Sequence, residues 1–227
     1  MCWDNRVSLL FSAIFLIINL TYVVIKPHYW KEYFLFGTFY FIMEMFQTLQ
    51  WLYGDVGTCT QMNAYFTFMA YLLIWLQPLL FSYIGLRTSR HRRFFVFMTI
   101  VNMCVLTTAV YSMYSARCVE VGYDIPNSIF SQRTCTTIGK TGHLVWKYKV
   151  GTVDYAPNYL LYLLLCILSF LMYDRIGTQV VGIGWFICLI ITKLVLSPQL
   201  LEMASSWCLM SIIANAVIYG YVMLIEN

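Results

Sequence analysis

The feature that most limits how this chain can fold is its succession of long apolar runs. They lie at roughly 7–26, 33–53, 62–85, 94–114, 158–173, 177–197 and 203–224. Six of the seven have the length of ~20 residues that an α-helix needs to cross a bilayer. The fifth, held between Pro157 and Asp174, is short, and an earlier start near Thr152 stays open. The runs do not alternate, which excludes the ~10-residue periodicity of a transmembrane barrel. Only 11% of the 227 residues are charged, while 61% are apolar or aromatic. A soluble domain carries about 25% charge. Lipid is therefore the expected solvent, and in lipid the backbone must satisfy its own polar groups as helices.

The expected fold class is all-α: a single polytopic helix bundle spanning residues 1–227, with seven transmembrane spans. Met1 to Arg6 has neither the basic start nor the small-residue cleavage site of a signal peptide, so the first run reads as a retained span. The loop at 86–93 holds Arg87, Arg90, Arg92 and Arg93 with no acid, and the loops on the same side hold Lys26, Lys31 and Arg175. The opposite short loops, 54–61 and 198–202, hold no Lys or Arg. An excess of cations marks the cytoplasmic side. This puts the N-terminus outside and the C-terminus in the cytoplasm. The 43-residue loop 115–157 lies outside; its five cations count for less because the loop is long. The 86–93 arginines read as a topology anchor or as a contact for anionic lipid headgroups.

Eight cysteines follow the same map. Cys104, Cys166, Cys188 and Cys208 fall inside expected spans, and Cys2, Cys59, Cys118 and Cys135 on the expected outer side. Outer cysteines sit where disulfides persist. At least one bond is expected among Cys59, Cys118 and Cys135; Cys118 with Cys135 is the local choice, and Cys59 with either would staple span three to the long loop. Within that loop, Leu144, Trp146, Tyr148 and Val150 alternate, with Gly139, Gly142 and Gly151 as flanking breakers. The alternation predicts a short strand or hairpin over the outer face, acting as a packed cap or as a lid.

The candidate chemistry lies on polar residues inside the spans. Glu44, Gln47 and Trp51 share one face of span two at i, i+3 and i+7, with Gln50 close by. Glu44 is the one acid well inside any span, and an embedded carboxylate costs roughly 2.5–3.5 kcal/mol unless it faces the bundle. It is expected to point inward and to meet Gln47 together with Gln77 or Asn215. Gln77, followed by the helix-kinking Pro78, Asn102 and Asn215 complete a polar set that either lines a path or fastens helices. Lys193 lies near the outer end of span six, where it can snorkel, pair with Glu44 or hold an anion.

The three histidines lie outside the spans, and no metal-ligand spacing, phosphate loop or nucleophile elbow is present. No enzymatic activity, cofactor or nucleic-acid partner is expected. The motifs of G-protein-coupled receptors are absent: span three ends Phe81-Ser82-Tyr83-Ile84-Gly85 without Asp-Arg-Tyr, and span seven has no Asn-Pro-x-x-Tyr. The combination of Glu44 and Gln47, then Cys59 and Asn63, then Gln77-Pro78 resembles an uncharacterised seven-span membrane protein family of large DNA viruses and protists. The likeness covers spans two and three and implies no function.

Three functions stay open at this point. One is a transporter or channel for an ion or small solute, built on the cluster around Glu44. Another is a structural or accessory subunit of a virion or organelle membrane, alone as a homo-oligomer or within a membrane complex. The third is a receptor-like ligand-binding bundle. The bilayer is the expected partner in each, whether plasma membrane, endomembrane or viral membrane.

Overall fold

A computed structural model describes residues 4–191 apart from 121, 123–127, 141, 153 and 175, together with Leu194. It is mostly helical. The helices are α1 (Asn5–Ile25), α2 (Trp30–Tyr53), α3 (Gln61–Thr88), α4 (Arg92–Ser115), α5 (Tyr159–Leu171) and α6 (Ile176–Ile191). A two-stranded antiparallel hairpin, β1 (Cys135–Ile138) and β2 (Leu144–Lys147), lies between α4 and α5. The first six apolar runs thus coincide with helices; the seventh, 203–224, lies outside the described residues.

Among the described residues, three helices are long and apolar enough to cross a membrane: α1, α3, and α4 with the 3₁₀ turn Ala116–Cys118 that continues it. α2 has 24 residues, but Lys31, Glu32, Glu44, Gln47 and Gln50 dilute its apolar character. α5 has 13 residues, which at ~1.5 Å per residue is about 20 Å, short of a ~30 Å hydrocarbon core. α5 starts where the run at 158–173 does, and the earlier start near Thr152 is not taken. The Asn158 side chain accepts from the Leu161 N–H at 3.0 Å and caps the helix there. Pro157 biases the residue before it away from helix, so the apolar run cannot be extended backward.

Local chemistry explains the other ends. Asp4 caps α1 by accepting from Val7 N–H at 2.8 Å, and Thr60 caps α3 through Asn63 N–H at 3.2 Å. α1 stops at Lys26, whose φ of 51° is left-handed.

The helices pack through small residues and embedded polar side chains. A Cβ placed on Gly37 of α2 would lie 2.1 Å from Asn19 Oδ1 of α1, so a larger residue there would displace the Asn19 amide. Asn19 is buried there and donates to Thr38 Oγ1 at 3.2 Å. Gly85 of α3 is closed over by the Phe95 ring of α4, again at 2.1 Å from an added Cβ. Tyr173, beyond α5, donates its hydroxyl to the Phe81 carbonyl of α3 at 2.7 Å.

At the end away from the hairpin, the connections lock together. Buried Glu32 accepts from Arg87 Nε at 3.2 Å, tying the start of α2 to the end of α3. Ser89 donates to Met172 O at 3.2 Å, and Arg90 N–H donates to Asp174 Oδ2 at 3.0 Å. Partial burial raises the affinity of Asp174 for a proton, but the Arg90 N–H and the Ser89 hydroxyl prevail, and its carboxyl stays below the usual range. Outward, the helices present bare apolar side chains, including Leu10, Ile17 and Val24 of α1 and Phe97 and Ile100 of α4.

Candidate functional site

The residues that join the hairpin to the helices form the densest polar cluster described. Thr136 of β1 sits opposite Trp146 of β2 in the hairpin register. Beneath them lie Gln50 from α2 and Asn63 and Thr67 from α3. Asn63 pairs with the strand as a neighbouring strand would. It accepts from Thr136 N–H at 2.7 Å and donates Nδ2 to the Thr136 carbonyl at 2.9 Å. Gln50 donates Nε2 to Thr136 Oγ1 at 2.6 Å and accepts from Trp146 Nε1 at 3.2 Å. The Thr67 and Thr136 hydroxyls share a bond of 2.7 Å. Gln50, Asn63, Thr67 and Thr136 are 0–1% exposed, so these bonds form away from water, where an unmade one is costly.

A disulfide closes the joint covalently. Cys59, in the loop before α3, bonds Cys135 with Cα atoms 5.2 Å apart. Of the three pairings open from sequence, this is the one formed, and Cys118 is left as an exposed thiol. The local choice of Cys118 with Cys135 is corrected: β1 lies against the start of α3, which brings residue 135 to residue 59 across 76 positions.

The hairpin itself is a packed cap. Leu144, Trp146, Tyr148 and Val150 are all at most 5% exposed, as their alternation predicts. Val145 is buried as well, and the segment at 129–131 pairs with the chain just after β2: Tyr148 N–H donates to Ile129 O at 2.7 Å and Ser131 N–H to Tyr148 O at 2.9 Å.

Glu44 is 1% exposed and therefore faces the interior. Its expected partner Gln77 is engaged elsewhere. Gln77 donates to Tyr40 Oη and accepts from Tyr162 Oη at 2.6 Å, spanning α2, α3 and α5. The two tyrosines engage both ends of the amide and orient it between α2 and α5. Among the described residues Glu44 Oε2 meets no hydrogen-bond partner. Gln47 is buried one turn away, beside a void of about 10 Å³ that it shares with Met43, Gln50 and Trp146. That is room for one water at most. Trp51 is half-buried, and its Nε1 meets no partner among the described residues. Asn102 of α4 donates to Pro78 O at 3.1 Å and to Ser82 Oγ at 2.6 Å. It clamps α4 onto the proline turn of α3. Lys193 and Asn215 lie outside the described residues.

Sequence reasoning did not single out Thr67, Thr136, Tyr40 or Tyr162 as partners. Hydroxyl residues recur throughout the chain, and none of these four stands at a spacing that marks it. Asn63 had one local signal, its place three residues after a capping threonine.

The helices and the stapled cap define a helical, disulfide-bonded protein with at least three helices able to cross a bilayer. Residues 12–225 match a family of unknown function, DUF5765. An uncharacterized protein, R287 of Acanthamoeba polyphaga mimivirus, is 48% identical over 231 residues, covering 98% of this chain and 96% of that protein. The chain belongs to this family. No solved structure matches it.

The joint makes a stability prediction. Gln50→Leu strands the Trp146 N–H and should cost roughly 1–3 kcal/mol. Breaking the Cys59–Cys135 bond by double serine substitution should cost roughly 2–4 kcal/mol. Because both hold one cap, the combined loss should depart from the sum. Thermal unfolding of the four forms in detergent measures it, and a Gln50→Leu curve equal to wild type contradicts it.

Proposed function

We propose that this chain is a multi-pass structural subunit of a membrane, with seven spans, its N-terminus outside and its C-terminus in the cytoplasm. Its working part on this reading is the rigid, disulfide-stapled cap held on the outer face of the bundle. The observation that carries the reading is where the embedded amides go. Gln50, Asn63, Gln77 and Asn102 each bridge two or more elements. Fastening helices to one another is a common use of embedded amides. The mimivirus relative is in keeping with a virion or endomembrane location, and the bare apolar flanks of α1 and α4 offer area for lipid or a neighbouring subunit.

Placing the cap outside agrees with a formed disulfide, since thiols in the cytoplasm are kept reduced. It also leaves Arg87, Arg90, Arg92 and Arg93 inside. Single cysteines introduced at Ser89 and at Ser128, in a background cleared of other reactive thiols, should label from opposite sides of intact vesicles. Labelling of both from one side contradicts the topology.

A second reading, proton or cation movement, is favoured by Glu44 alone. A carboxyl 1% exposed with an unpartnered oxygen is a candidate carrier of a proton. A flux assay in liposomes separates the two readings. The structural one predicts that the wild-type protein and Glu44→Gln both leak no more than empty vesicles, and that Glu44→Leu folds with little change in Tm. The transport reading predicts wild-type flux that Glu44→Gln abolishes.

A further inference from the structure

Five cations lie in the loop 115–157: Arg117, Arg133, Lys140, Lys147 and Lys149. On the topology proposed above they lie outside, against the usual bias of cations toward the cytoplasm. Three of them, distant in sequence, line one open cleft of about 500 Å³ where the cap meets the ends of α3 and α4. Glu120 is the one acid on its described lining. Bringing like charges together is unfavourable without a counter-charge.

The walls are built rather than accidental. Lys149 N–H donates to Thr134 Oγ1 at 3.0 Å, and its Nζ rests on the carbonyls of Val119 and Glu120. The Arg117 guanidinium lies 5.6 Å from the centre of the Tyr114 ring. The Cys59–Cys135 bond fixes the strand next to Thr134. Arg133 is exposed at the rim, and Met113 and Ala116 give the floor an apolar side.

We infer that this cleft is a binding site for a phosphate-type oxyanion, held by the guanidinium groups of Arg117 and Arg133 with Lys149 alongside. Guanidinium forks match the oxygens of phosphate two at a time, and the volume falls in the range of small-ligand sites. The anion is either a free phosphate group or a phospholipid headgroup whose glycerol end rests on Met113. The binding chemistry is the same for both and does not depend on which side of the membrane the cap occupies. A failed binding test therefore leaves the structural reading standing, and a failed topology test leaves the site standing.

The experiment uses the full chain. Purified protein in detergent is titrated with inorganic phosphate by calorimetry. In parallel it is reconstituted in phosphatidylcholine nanodiscs with and without phosphatidylglycerol, and retained lipid is counted by native mass spectrometry. Arg117→Gln with Arg133→Gln should weaken the bound species about tenfold or more. Arg92→Gln with Arg93→Gln, at the other end of the molecule, should leave the phosphate titration unchanged. The single Arg133→Gln, at an exposed side chain, guards against loss of fold and should weaken binding in the same direction. Saturable phosphate binding assigns the free anion, and retention of phosphatidylglycerol that requires Arg117 and Arg133 assigns the lipid. Absence of both, or wild-type binding by the Arg117→Gln, Arg133→Gln protein, overturns the site.

Discussion

The Asn63 carboxamide gives Thr136 both bonds that an adjacent strand would give, and it does so from the first turn of α3. A two-stranded hairpin is marginal by itself in water. Here its β1 edge is completed by a helix side chain, and its cross-strand pair Thr136–Trp146 is held from below by Gln50. The cap thereby becomes continuous with α2 and α3. The disulfide at the neighbouring Cys135 closes the same contact covalently, so the bonds and the staple support one geometry. The walls of the cationic cleft inherit that rigidity, because Thr134 is the next residue along.

The opposite end is organised by other means. There the loop between α3 and α4 is tied to the segment after α5 through Ser89 and Arg90, and α2 is tied to α3 by the Glu32–Arg87 pair. Between the two ends, the Gln77 amide with Tyr40 and Tyr162 holds α2, α3 and α5 at mid-height. Glu44 lies on the same helix as Tyr40, one turn further on, but outside that set of bonds.

Helix positions were largely legible because hydropathy runs and caps are local properties. Five runs coincide with helices to within a few residues, the sixth does so as far as the described residues reach, and the start of α5 is set by Asn158 and Pro157, which stand in plain view in the sequence. The hairpin was legible for the same reason: Leu144 to Val150 alternates. What the sequence could not supply was the pairing between distant segments. Cys118 is the nearer candidate for Cys135 in sequence, and Cys59 becomes its partner only because β1 lies on α3. Gln77 was expected beside Glu44 because both are polar and embedded; the tyrosine hydroxyls that compete for the amide belong to residues counted as apolar bulk. Inward burial of Glu44 followed from cost alone, but its partners required three-dimensional neighbours.

The central claim is that the cap and the helices form one rigid body through Asn63 and Thr136. Amide hydrogen exchange at Thr136, in the oxidised full-length protein in nanodiscs, tests it most directly. The account predicts protection comparable to the buried middle of α3, lost on Asn63→Ala while the Cys59–Cys135 bond remains. Exchange of the Thr136 amide as fast as that of the exposed hairpin turn near Lys140 would contradict it.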